Sequence, residues 1–125
     1  MAKIINTKHH FDIPLYKGKL IIIISDNIEF VNKYVFFKKC DHHLYAHCIY
    51  DNFNGEQGFF IVLNPFSNVK LTEGVIVHEI LHCVNFIMDA RGQVADRNND
   101  EADAYLAEWI GNKVFTIIKK NKVKL

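Results

Sequence analysis

Arginine is nearly missing from this chain, at two of 125 residues against thirteen lysines, and proline and tryptophan are as scarce, at two and one. The formal net charge is only +1. That excludes broad nucleic-acid binding, which needs a concentrated basic surface. The longest aliphatic run, Leu20 to Ile24, is too short to cross a bilayer. Met1 to Lys8 lacks an apolar core and a small-residue cleavage site, so no secretory signal is expected. Three cysteines (Cys40, Cys48 and Cys83) cannot all pair with one another, and their spacing fits no zinc ribbon. Reduced thiols in a cytoplasmic protein, buried as small apolar side chains, are the simplest expectation. There is no phosphate-binding glycine loop, no Ser/His/Asp signature and no strip of alternating basic and aromatic residues. Four lysines crowd the C-terminus (Lys119, Lys120, Lys122, Lys124), as in a solvated, fraying end.

What is present suits one compact domain over residues 1–125. Half of the residues are hydrophobic and 23% are charged, as in ordinary globular proteins, and no repeat or Pro/Gly-rich linker divides the chain. The first 18 residues look irregular, with room for a short strand near Ile4. Lys19 to Ser25 is a β-branched run that predicts a buried strand. Asp26-Asn27-Ile28-Glu29 has the form of a capping box, opening a helix through about Lys39, although Tyr34-Val35-Phe36-Phe37 could equally be strand. His43 to Asp51 alternates, with Leu44, Ala46, Cys48 and Tyr50 on one side. Turn formers follow over Asp51–Gly55, and Gly58 to Leu63 returns as the second strand of a hairpin that Asn64-Pro65 ends.

Thr72 is placed to N-cap the next helix, with Glu73 in its first turn. Val77, Ile80, Leu81, Val84 and Met88 recur at helical spacing as its core stripe, and Gly92 is positioned to end it. A last helix is expected from about Asp100 to Lys119, with Ala102, Tyr105, Leu106, Trp109 and Ile110 on its apolar side. The predicted class is α+β: a small mixed or antiparallel sheet with the helices on one face.

Chemistry concentrates in His78-Glu79-Ile80-Leu81-His82, a complete HExxH motif inside that helix. Residues four apart share a helical face, so two imidazoles are aimed at one point, as a tetrahedral zinc requires. Glu79 follows roughly 100° around the axis, beside the metal and not among its ligands. From there its carboxylate can take a proton from zinc-bound water and pass it to a leaving amine. At this composition the pattern arises by chance only about 0.02 times per chain. The bland alternative is two surface histidines beside an ordinary core stripe. A third protein ligand is needed. Glu101 is the best candidate if the last two helices form an antiparallel pair, with Asp96, Asp100 and Asp103 as competitors. Tyr105 is either a core residue with a satisfied hydroxyl or an oxyanion donor. His42, His43, His47 and the His9-His10 pair lack a carboxylate or thiol at ligand spacing, so no second metal site is expected.

HExxH followed by Asn99-Asp100-Glu101-Ala102-Asp103-Ala104-Tyr105-Leu106 resembles the gluzincin metallopeptidases, most of all small phage and bacterial members, including the ImmA/IrrE-type peptidases. The resemblance covers about residues 72–110. It implies a zincin-like fold, zinc held by His78, His82 and Glu101, Glu79 as general base, and the strand Gly58–Leu63 edging a substrate cleft. Thermolysin-like members carry an Asp four residues after the ligand Glu, where this chain has Tyr105, and their oxyanion histidine has no evident match. Two functions follow from this. One is a zinc peptidase acting on an intracellular protein held in extended form. The other is a non-catalytic zincin-fold component, such as a phage virion or assembly protein with protein partners, or a regulator that targets a repressor. Isoleucine, asparagine and lysine make up 41 residues, the bias of an AT-rich bacterial or phage genome, so the compartment would be a bacterial cytoplasm or a virion.

Overall fold

Strands β2 (Lys19–Ser25) and β4 (Glu56–Leu63) are the most apolar segments of the chain, and they lie side by side at the centre of a four-stranded sheet. The structure, a computed structural model, describes residues 6–35, 46–53, 55–67 and 69–125. Flanking the central pair are β1 (Asn6–Asp12) on β2 and β3 (Ala46–Phe53) on β4, in the order β1-β2-β4-β3. β2 and β4 run parallel, with Leu20 opposite Phe59 and Ile24 opposite Leu63, while both outer pairs are antiparallel. The fold is therefore a small α+β domain with a mixed sheet. Interior strands covered on both faces need apolar residues at consecutive positions. β2 accordingly buries Leu20, Ile22, Ile23 and Ile24 completely.

Even-numbered positions of β2 and odd-numbered positions of β4 face the helices α2 (Glu73–Ala90) and α3 (Glu101–Lys120). There Ile22, Ile61 and Leu63 meet Ile76, Ile80 and Ile87 of α2 and Ile110 and Val114 of α3. The opposite face is covered by the short helix α1 (Ile28–Asn32), where Val31 and Val35 pack on Ile23, Ile49, Phe60 and Val62.

Several expectations are corrected. A regular strand, β1, occupies part of the supposedly irregular N-terminal stretch. Its sequence, NTKHHFD, is polar because an outer strand needs only one half-covered face, and polar edges discourage pairing with other chains. The N-cap of α1 is Asn27 and not Asp26: its Oδ1 accepts from the backbone N–H groups of Glu29 and Phe30 at 2.9 and 3.3 Å. This helix ends at Asn32, and the rest of its expected course, 36–39, lies outside the described residues, as does the start of the predicted strand at 43–45. The β3–β4 hairpin forms, but its strands are longer than expected: pairing continues from Asp51 opposite Gly58 to Phe53 opposite Glu56, where turn residues were expected, and Gly55 adopts φ +80°, a left-handed conformation that favours glycine. β4, expected at the edge of a cleft, is an interior strand; among the described residues the outermost strand on that side is β3.

α2 is also rolled relative to its predicted stripe. Ile76, Ile80, Cys83, Val84, Ile87 and Met88 point inward, whereas Val77 and Leu81 are 55% and 61% exposed. The helix lies over β3 and β4, so its buried arc extends toward the Glu79–Cys83 flank and releases the Val77–Leu81 flank to solvent. α3 buries Leu106 and Ile110 as expected and continues the stripe through Val114, Ile117 and Ile118.

Candidate metal centre

The motif is carried by a well-anchored helix. Thr72 is extended at the N-cap of α2, and its Oγ1 accepts from the Val75 N–H at 3.2 Å. This satisfies one of the donors left over in the first turn. Two turns on, His78 and His82 stand exposed on the outer face, with their Nε2 atoms 3.1 Å apart and their rings in an edge-to-face contact at 4.7 Å. Two nitrogens bound to one tetrahedral ion at about 2.0–2.1 Å lie roughly 3.3–3.4 Å apart. The pair thus fits two positions of a zinc shell almost without adjustment. Without a metal, the same approach is a hydrogen bond in which one ring Nε2–H donates to the other ring's Nε2.

His82 is steadied from the next turn. Its ring stacks on Phe86 at 6.5 Å, and Phe86 contacts Tyr50 of β3 at 6.4 Å. Tyr50 is held in turn, edge-to-face with Phe59 at 4.9 Å and with its hydroxyl accepting from Gln57 Nε2 at 2.9 Å. This aromatic chain ties the histidine pair to the sheet. The alternation of β3 places Cys48 and Tyr50 on the helix-facing side, but nothing in the sequence announces that they meet Cys83 and Phe86.

Glu79 is the only charged residue of α2 that is buried, at 8% exposure. Burial pushes its carboxyl pKa above the ordinary value, while the neighbouring His78 and His82 pull it back. Beneath it, Cys83 lies beside the Cys48 thiol; that neighbour, then burial and the nearby Glu79 carboxylate, raise the Cys48 pKa. Cys48 and Cys83 are free thiols that pack beneath the carboxylate, and Cys40 lies outside the described residues.

The other predicted site residues lie apart from this group. Gly111 of α3 faces Ile80, and Asp103 lines a cleft with Asn85, Met88 and Asp89. The two helices are therefore antiparallel, and the first turn of α3 stands level with the last turn of α2, beyond His82. Glu101 is exposed in that first turn, Asp103 is half-buried, and Asp96 and Asp100 are exposed. Among the described residues, no group of three or more His, Cys, Asp or Glu side chains is gathered as a metal set. Tyr105 is not a core residue: it is 66% exposed and lines an apolar cleft with Leu15 and Tyr16, beside the β1–β2 turn and not beside the histidine pair. His42 and His43 lie outside the described residues.

Compared with family models, curated proteins and solved structures, the chain matches none. Its own geometry offers two convergent imidazoles on a capped helix, with a buried carboxylate, its pKa raised by burial, one residue along.

Proposed function

We propose that this protein is a zinc-dependent peptidase of zincin-like architecture, acting on an intracellular protein substrate. The observation that carries the reading is the 3.1 Å approach of the His78 and His82 Nε2 atoms beside buried Glu79. His78 and His82 would hold the ion by Nε2, with Glu101 as the third ligand. Because Glu101 stands level with the end of α2, its ligation requires the first turn of α3 to move toward the histidine face. When bound, zinc lowers the pKa of a water ligand and polarises a substrate carbonyl. Glu79 would accept a proton from water at the site and deliver it to the departing amine. A base works best when its pKa lies near the working pH, and partial burial moves Glu79 in that direction.

The decisive experiment compares Glu79→Gln with wild type on a cell lysate, mapping newly created protein N-termini. Loss of a positioned acid–base group is expected to slow cleavage by about 10²- to 10⁴-fold, with zinc content unchanged. Identical fragment patterns would sink the peptidase reading. They would favour the second reading, a non-catalytic structural, assembly or repressor-targeting protein, to which the positions of Glu101 and Tyr105 also lend support.

A further inference from the structure

The sheet face opposite α2 and α3 carries a groove that the metal centre does not use. Period-two alternation puts Lys8 and His10 of β1 on this face, where His10 pairs across to Ile21 and Ile21 to Phe60. The floor is apolar, made of Ile21, Phe60 and the backbone of Gly58. A Cβ at Gly58 would come within 2.9 Å of the Phe60 ring and 3.2 Å of Ile21, so these side chains close over the space that glycine leaves. The cavity measures about 300 Å³, at the small end of ligand-binding sites.

Its rim is cationic. The Lys8 ammonium sits 4.3 Å from the centroid of the Tyr34 ring and the Lys33 ammonium 5.9 Å from the same centroid. A ring quadrupole attracts each cation but carries no net charge, so two positive charges gather at one aromatic side chain without being neutralised. The single ion pair among the described residues joins Lys19 to Asp12 and leaves Lys8 and Lys33 without a carboxylate partner. Glu56 is the one acidic residue of the lining, and it acts on Lys19. His10 adds a further donor on the β1 side.

We propose that this groove binds a small organic phosphate, its dianionic head between Lys8, Lys33 and His10 and a planar apolar body on the Ile21–Phe60 floor. Ammonium–phosphate hydrogen bonds would complete the two cations, and the floor would add the desolvation of an aromatic or similarly flat group. The site is independent of zinc and of the peptidase reading, since the sheet separates it from α2.

Phenyl phosphate is a suitable probe, titrated into the full-length protein at low salt by calorimetry, with inorganic phosphate and phenol as comparison arms. Saturable one-to-one binding of phenyl phosphate is expected, tighter than that of either part alone. Lys8→Gln and Lys33→Gln should each weaken it roughly three- to tenfold, given the exposure of both ammonium groups. Lys113→Gln should leave it unchanged, because that lysine lies over Phe11 and Trp109 on the helix side of β1. Both rim substitutions are on the surface and should preserve folding, which circular dichroism checks. Three results would overturn the proposal: no saturable binding, inorganic phosphate binding as tightly as phenyl phosphate, or an equal loss in Lys113→Gln.

Discussion

Two pairs of histidines in this molecule have the same composition and different consequences. His78 and His82, four residues apart on a helix, bring their Nε2 atoms to 3.1 Å. His9 and His10, adjacent on strand β1, are sent to opposite faces of the sheet: His9 is half-buried toward α3, and His10 lies in the groove on the far side. Imidazoles converge when their separation matches the period of the element that carries them, about 3.6 residues in a helix and two in a strand. The helical pair is exposed, steadied by Phe86 and free to accept a cation. The strand pair is divided, and one of its members pays a burial penalty.

The sharpest way to break this comparison is to remove one member of each pair and measure zinc affinity by competition with a chromophoric chelator. His82→Ala is expected to weaken binding by more than about 100-fold, because loss of even an outer-shell partner of a ligand typically costs roughly 10–100-fold. His10→Ala should have no effect. Comparable losses in the two variants would mean that the helical pair is not the metal site. A smaller effect is expected from Glu101→Ala, roughly tenfold or more, since two imidazoles remain in place. Unchanged affinity would move the third ligand to Asp103 or elsewhere, and would leave α3 with a purely structural role.

How far the sequence predicts these outcomes depends on whether a feature is local. The helical placement of HExxH, the Thr72 cap and the β3–β4 hairpin are all legible, because each is decided within a few residues by periodicity, capping or turn chemistry. The rotation of α2 is not. Val77 and Leu81 fit a helical stripe as well as Ile76 and Ile87 do, and only the position of β3 and β4 beneath the helix decides which set is buried. The edge position of β3 is likewise a matter of strand order, on which the hairpin's own sequence is silent. β1 escapes notice because a half-covered outer strand needs little hydrophobicity, so NTKHHFD lacks the apolar alternation that would reveal it. Tyr50 and Cys48, the β3 partners of Phe86 and Cys83, are hidden for a different reason: contacts across tens of residues leave no spacing to count.

The smallest expected effect concerns His9, and it tests the strand half of the comparison. Its Nε2 is buried without a hydrogen-bond partner. Burial, reinforced by the positive charge of Lys120, lowers its pKa from the ordinary value of 6.5. The folded protein therefore holds His9 neutral at a pH where the unfolded chain already binds a proton. Stability must fall as pH drops below about 6.5 and go on falling through the lowered folded value, because the unfolded state gains protons first. His9→Phe keeps a flat ring on the same half-covered face and removes both the titration and the unpartnered nitrogen. Thermal unfolding from about pH 8 down to about pH 5 should show the variant at least as stable as wild type at the alkaline end, with its advantage widening below about 6.5. The two proteins differ only at this residue, so the difference between the two curves isolates His9. Parallel curves would mean that the fold protonates His9 as readily as water does, and that the division of the strand pair carries no energetic penalty.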